Sequence, residues 1–551
     1  MAGRHKDGHL QAIGLRGAAV LAGAALLTKL IGVLQKIPLQ NLAGDRVFGI
    51  YNAVYPLYQL LTVLATAGLP AAISIVIAQQ LQEGAASNQI RGTLYTALVT
   101  LGVMGAAAAL CLWLLADPIA YWMGDRAAAS SLRSLSAALA VVPLVAALRG
   151  YIQAMDRMAL SAASQVIEQL IRVAVMVAVL FWSLSASWEA ASLTAAVMNG
   201  SAAGAVAALL LLAVFARTKH TETAERSSIF GLRDAALAAK KLFAVALPAV
   251  LGAAVVPAMG VVDAFTIPRM LQAGGAAEDA AMAQFGIYSR ALPLVQLVVM
   301  IAGAAAGALV PRLVLLADKK TLHHSVHIII RISSLIGAAA AVGLLLLAKP
   351  INIMLYANSS GTDVFAIIGC TAFASCILAA VSPLLQVLGA IQAPALLLLT
   401  AACTKGALNL IFTSRFGIVG AAFAGLAALS AAAAIGLVMA CMKLNRATYG
   451  GNKTNNKRRS FFTSSAAAAV MGLVIMGGAV TGMQWLISSM IGSVVSARLL
   501  AAIVSITGVA AGGIIFLAAI LKTSFIGQAE WKLLGISGKL LSRIKRWQSK
   551  R

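Results

Sequence analysis

The amino-acid sequence predicts an all-α polytopic membrane protein of about fourteen transmembrane helices, built as two pseudo-twofold six-helix lobes plus two C-terminal helices. Three observations lead there. Apolar residues, Gly not counted, make up 61% of the 551 residues and charged residues 11%, with a mean hydropathy of +0.92. A chain so poor in charge cannot cover a water-facing surface, which excludes a soluble enzyme and a disordered polar protein. The apolar runs are long, unalternating and rich in Ala and Leu, unlike barrel strands. The chain also repeats itself about midway.

Taken in order, spans are expected over 12–36, 49–81, 92–116, 132–154, 158–183, 190–216, 240–268, 284–311, 326–348, 362–388, 394–413, 418–442, 463–488 and 498–521. The first follows Arg4, Lys6 and Arg16 like a signal peptide, but Lys29 interrupts its apolar run and membrane sequence continues after it, so it reads as a retained helix. With the N-terminus cytoplasmic, 30 of the 42 Lys and Arg fall in inner segments (Arg149 and Arg157 among them) and 8 in outer ones. That asymmetry places both termini and the linkers in the cytoplasm, and it reads the net charge of +25 as topology, not as a nucleic-acid footprint.

The repeat supports the lobes. Pro143, Gly150, Gln153 and Ala154 in the fourth span answer to Pro383, Gly389, Gln392 and Ala393 in the tenth. The following helix then carries polar residues four apart, Glu168 and Arg172 in one half and Lys405 and Asn409 in the other. Six spans per half is an even number, so both halves enter from the same side and form a parallel repeat. The expected organisation is a lobe over 1–216, a cytoplasmic linker over 217–239, a second lobe over 240–443, a basic loop with two helices over 444–521, and a tail over 522–551. In the tail, Trp531, Leu534, Leu540, Leu541, Ile544 and Trp547 mix with Lys and Arg, which suits either an amphipathic segment on anionic lipid or a solvated basic tail. The five cysteines all fall in apolar stretches, with no metal-ligand or disulfide spacing.

A charge at mid-bilayer costs about 2.5–3.5 kcal/mol on insertion scales, so each one needs a reason. Glu168 and Arg172, one turn apart with the acid first, neutralise one another as a structural ion pair. Lys29 and Arg290 have no such local partner and fall at equal depth in opposite halves, where they suit a diphosphate or other acidic group, with snorkelling to the outer headgroups as the alternative. Asp263, Lys405 and Asn409 fall together in the second half as an internal pair or an ion-coupling group. No nucleotide-binding loop or metal-ligand cluster accompanies them, the histidines lie in segments expected to be cytoplasmic, and the outer loops are small and acid-poor, so no enzyme and no cofactor are expected.

Several stretches carry a family resemblance: Thr28-Lys-Leu-Ile-Gly32, Lys36-Ile-Pro-Leu39, Gly44-Asp-Arg-Val-Phe-Gly-Ile-Tyr51, Ser164-Gln-Val-Ile-Glu-Gln-Leu-Ile-Arg172, Ser289-Arg-Ala-Leu-Pro293 and Val310-Pro-Arg312. Over about residues 15–443 the chain resembles bacterial polysaccharide-transporter flippases of the stage V sporulation protein B group and, more distantly, the MurJ-like flippases, all of the MOP (MATE-like) superfamily. The resemblance implies a V-shaped cationic cavity and alternating access for an undecaprenyl-diphosphate-linked oligosaccharide or peptidoglycan precursor. It also implies Lys29, Lys36 and Arg290 as substrate-binding residues, and cell-wall or polysaccharide synthesis proteins as further partners. Asp263 and Asn409 fall where relatives hold Na⁺, with Lys405 where an acid would help, so Na⁺ or H⁺ coupling stays open. A MATE-like cation-coupled small-molecule exporter and a membrane glycan polymerase are the alternatives.

Overall fold

The computed structural model describes residues 2–66, 68–84, 86–186, 188–217, 254, 257–314, 319–449 and 458–522. The expected linker over 217–239, most of the span over 240–268, part of the basic loop after 444 and nearly all of the tail lie outside these residues. Among the described residues there is no strand. The chain is an all-α polytopic membrane protein that divides into two compact units, Met1–Gly286 and Ile287–Arg551.

The first unit comprises α1 (Ala2–Leu34), α2 (Lys36–Thr66), α3 (Leu69–Gln82), α4 (Ser87–Leu114), α5 (Ala116–Met123), α6 (Ala128–Ala154), α7 (Met158–Ser183), α8 (Ala190–Arg217), α9 (257–273) and most of α10 (Glu278–Ser289). The second continues with α11 (Leu292–Val314), α12 (Lys319–Leu346), α13 (Ala348–Tyr356), α14 (Thr362–Val387), α15 (Ala393–Tyr449), α16 (Arg458–Ile491) and α17 (Ala497–Lys522). Eleven helical stretches among the described residues are long and apolar enough to span a membrane, and two of these, over Ala19–Gln82 and Ala393–Arg446, run to 64 and 54 residues. At 1.5 Å per residue either exceeds one hydrocarbon core at least twofold, so each makes two crossings. Gly44 (φ 81°) and Gly417 (φ 58°) interrupt them, in the backbone region that glycine alone enters without steric cost.

Each unit is built around one central helix. Two thirds of the apolar window is buried in α6 and in α14, the largest share of any span. In the first unit α6 packs on α8, α4 and α3; in the second α14 packs on α15, α12 and α11. Both carry a proline, Pro143 and Pro383. Glycines allow the close approach: a Cβ on Gly105 of α4 would press on Pro143, and one on Gly337 of α12 would press on Phe373 and Cys376. α16 and α17 pack on one another and on α12 and α13.

The structure adds two short helices that the spans did not include. α5 and α13 follow α4 and α12 after matching bends at Leu115 (φ −89°) and Leu347 (φ −95°), and both end on a left-handed residue, Gly124 and Ala357. Their sequences repeat, as Leu114-Leu-Ala-Asp-Pro-Ile119 and Leu346-Leu-Ala-Lys-Pro-Ile351. The second expected span is likewise two helices, α2 and α3, parted at Gly68 (φ 74°) just before Pro70. The five cysteines are free.

Candidate functional site

Two helices of the first unit bring charge to one place. On α7, Glu168 and Arg172 stand one turn apart, with Arg172 Nη2 3.2 Å from Glu168 Oε1. Arg149, five residues before the end of α6, places Nη2 2.8 Å from Glu168 Oε2. One carboxylate thus bridges two guanidiniums, and these side chains are 12–16% exposed. Since arginine stays charged in proteins, the cluster carries a net positive charge. α8 makes the placement possible from behind: Gly200 and Gly204 lie against the carbonyls of Arg172 and Glu168, where a Cβ would collide.

The cluster opens on a cavity of about 550 Å³ whose lining includes Tyr55, Tyr58 and Thr62 of α2 as well as Arg149, Glu168 and Arg172. Its polar groups continue in both directions as a hydrogen-bonded ladder. Arg172 Nη1 donates to Tyr55 Oη (3.1 Å) and to Gln169 Oε1 (3.3 Å). Gln169 donates to Gln35 (3.2 Å), and Gln35 donates to the Tyr51 hydroxyl (3.0 Å). In the other direction Arg149 Nε donates to Ser164 (2.9 Å), and Gln153 donates to Ser161 (2.9 Å). Two buried atoms of the lining, Arg172 Nε and Thr62 Oγ1, have no hydrogen-bond partner among the described residues. A buried unmet donor costs about 1–3 kcal/mol, so Arg172 is held ready for an acceptor.

The residues singled out from sequence are distributed as follows. Lys29 is exposed on α1. Lys36, at the start of α2, is half-buried and donates to Asn52 Oδ1 at 2.8 Å. Arg290, at the corner between α10 and α11, is 1% exposed. It donates to the side-chain oxygens of Asn352 (3.3 Å) and Asn358 (2.7 Å) and to the Ser360 carbonyl (3.3 Å), with the Tyr356 ring 5.3 Å from Cζ. Asp263 is buried on α9; Lys405 and Asn409 are buried on the first limb of α15. Lys405 Nζ lies 5.9 Å from the Tyr288 ring centroid. Arg149 was counted among the inner boundary charges from sequence, although the expected span over 132–154 contains it; the structure gives it to the cluster. The signal was present, since Glu168 and Arg172 alone leave no cation for the second carboxylate oxygen.

A second charged cluster joins three turns of the same unit, each marked by a positive-φ glycine: Gly44, Gly124 and Gly275. Arg46 lies 2.6 Å from Asp279 and 3.8 Å from Asp125. The Arg126 amide donates to Glu278 (2.6 Å), the Ala127 amide donates to Asp125 (2.8 Å), and Gln272 donates to the Gly124 carbonyl. Burial pushes the Asp125 carboxyl up to about 6, against the opposing pull of the Ala127 amide and Arg46. Phe-Gly-Ile-Tyr occurs twice, at 48–51 and 285–288. Gly49 and Gly286 of these motifs lie back to back: a Cβ on Gly49 would strike the Met282 carbonyl, and one on Gly286 that of Asp45.

Comparison with known proteins agrees with this architecture. The family model described as polysaccharide biosynthesis protein matches residues 15–317. The uncharacterized membrane protein YabM of Bacillus subtilis (strain 168) is 31% identical over 426 residues, covering 77% of this chain and 79% of that protein. Stage V sporulation protein B of the same organism is 26% identical over 356 residues, covering 64% and 68%. Among solved structures, the lipid II flippase MurJ in an inward closed conformation superposes with a TM-score of 0.64 at 11% identity, covering 91% of this chain and 98% of that one. An inward-facing multidrug resistance MATE family transporter of the MOP superfamily gives 0.57 at 15% identity, covering 77% and 96%. With the fold of these transporters and a family match over more than half its length, the chain belongs to the polysaccharide biosynthesis protein family.

Proposed function

We propose that the protein is a flippase that carries an undecaprenyl-diphosphate-linked oligosaccharide or peptidoglycan precursor across the bacterial cytoplasmic membrane by alternating access, with both termini cytoplasmic. The observation that carries this reading is the cavity of the first unit, where two arginines share one carboxylate and Arg172 keeps an unmet donor. Such a lining attracts a diphosphate and repels a cation, which disfavours a cation-drug exporter. One solved structure with this fold is named as a lipid II flippase, which supports the same reading. The orientation rests on the 30 basic residues in segments read as inner.

In this reading the polar ladder guides the headgroup, and Lys36, bonded to Asn52, and the exposed Lys29 are further cations for it. Arg290 is a further cation for the diphosphate only if Asn352, Asn358 and Ser360 release it. Asp263 of the first unit and Lys405 and Asn409 of the second are the residues proposed for ion coupling or internal pairing, and the protein moves its substrate without making or breaking bonds.

The test is a flipping assay with a lipid-diphosphate-linked sugar in proteoliposomes. Charge-assisted hydrogen bonds are worth about 1.5–3 kcal/mol each, so the double variant Arg149→Ala, Arg172→Ala should lose flipping by about a hundredfold or more, with membrane insertion intact. Normal flipping by a well-inserted double variant would refute the reading.

A further inference from the structure

We infer that Glu168 is a built-in stand-in for the substrate's phosphate: it fills the Arg149–Arg172 subsite when no substrate is bound, and the incoming anion displaces it. The inference rests on the anionic-substrate reading and concerns the regulation of that same site.

The geometry supports it in three ways. First, the carboxylate of Glu168 bridges the two guanidiniums by one oxygen each, at 2.8 and 3.2 Å. This is the arrangement that a phosphate with two free oxygens would adopt between the same arginines. Second, Glu168 is an incomplete ligand. The Nε–Nη2 edge of an arginine is a fork that accepts two oxygens side by side. Glu168 engages only Nη2 of Arg172, and Nε is buried without a hydrogen-bond partner among the described residues. A phosphate has an additional oxygen, so it can meet Arg149 Nη2 and both donors of the Arg172 fork at once. Third, the arginines are fixed independently of Glu168: Arg149 by Ser164, and Arg172 by Tyr55 and Gln169. The subsite therefore keeps its shape when the carboxylate swings out, and Glu168 has the cavity to swing into.

A resident competitor answers a problem that a flippase faces. Two arginines in a low-dielectric site hold a diphosphate tightly, and a carrier that does not let go does not turn over. Glu168 lowers the net affinity by its own claim on the arginines, and its return helps expel the anion. Removing that claim should therefore tighten binding, whereas removing either arginine should weaken it.

The experiment is binding of inorganic pyrophosphate and of geranyl diphosphate to the purified full chain in nanodiscs, by calorimetry at fixed ionic strength. Comparing the two probes separates the phosphate contribution from that of the prenyl tail. Glu168→Gln keeps the volume and removes the charge; both probes should bind at least tenfold tighter, while flipping slows at the release step. Glu168→Asp, one methylene shorter, serves as the second variant if the first folds poorly, and should tighten binding severalfold. If Arg149→Ala and Arg172→Ala lose binding while both Glu168 variants bind no tighter than the parent, Glu168 is a structural tether and the inference fails with the anionic-substrate reading intact. If the arginine variants bind both probes as the parent does, the anionic-substrate reading itself fails.

Discussion

Both units bury cations among apolar helices, and they treat them in opposite ways. In the first, Arg149 and Arg172 keep 16% and 12% of their side chains exposed, face a cavity and share one acid. In the second, Arg290 and Lys405 are 1% and 5% exposed, and Arg290 Nη1 donates to two asparagines and a backbone carbonyl. A guanidinium that lines a cavity with a donor to spare can exchange partners with a ligand. One buried among several acceptors holds its surroundings together, because removing it strands every acceptor it served. Depth in the membrane therefore does not identify a ligand-binding cation; the state of its donors does.

The largest effect should come from the sealed cation. Arg290→Ala should cost about 3–5 kcal/mol, the range for breaking a buried charged network, read as a lower melting temperature and reduced yield. Arg290→Lys should restore it only in part, since the ammonium keeps the charge but not the planar guanidinium beside the Tyr356 ring. An Arg290→Ala protein that melts like the parent but fails to transport would break the comparison and return Arg290 to the substrate path.

Next in size is the packing behind the cavity. Gly204→Leu forces a side chain against the Glu168 carbonyl and should part α8 from α7, at about 1–3 kcal/mol. Transport should fall further than stability, because the move shifts Glu168 and Arg172 together. An unchanged melting temperature with unchanged flipping would show that the glycine pair does not position the cluster.

The smallest effect belongs to the turn cluster. The Asp125 carboxyl is raised from the ordinary carboxylate range to about 6, so the folded state binds this proton more tightly than the unfolded chain does. Its contribution to stability is present below the unfolded value of 3.8 and is lost as pH rises through about 6. Melting of the parent should accordingly drop between pH 5 and 7.5, and Asp125→Asn should flatten that change. A parent whose melting rises over the same interval by an amount that Asp125→Asn abolishes would reverse the sign and contradict the burial argument.

Much of this architecture was legible in the sequence, for identifiable reasons. Long apolar runs fix the spans because backbone groups in lipid have no other way to be satisfied, and Glu168 and Arg172 four apart announce their pair. What was missed follows from local chemistry. α5 and α13 are eight and nine residues long, too short for a span and read as loops, although Leu-Leu-Ala, Pro and Ile recur in both. The second occurrence of Phe-Gly-Ile-Tyr marks a crossing that no periodicity reveals, since the constraint lies in the absence of a Cβ at Gly49 and Gly286. Arg149, inside an expected span, was counted with the inner charges because charge near a helix end ordinarily marks the water boundary. Only the position of α7 shows that its partner is inside.

The comparison between the units is tested most directly by flipping rates of a lipid-diphosphate-linked sugar, normalised to folded protein, for Arg149→Ala with Arg172→Ala beside Arg290→Ala. The cavity variant should lose about a hundredfold per folded molecule, two charge-assisted contacts being removed, while the Arg290 variant should lose folded protein and keep its rate per molecule. The reverse pattern, with full flipping by the cavity variant and a dead but well-folded Arg290 variant, would contradict the assignment of the substrate site to the first unit.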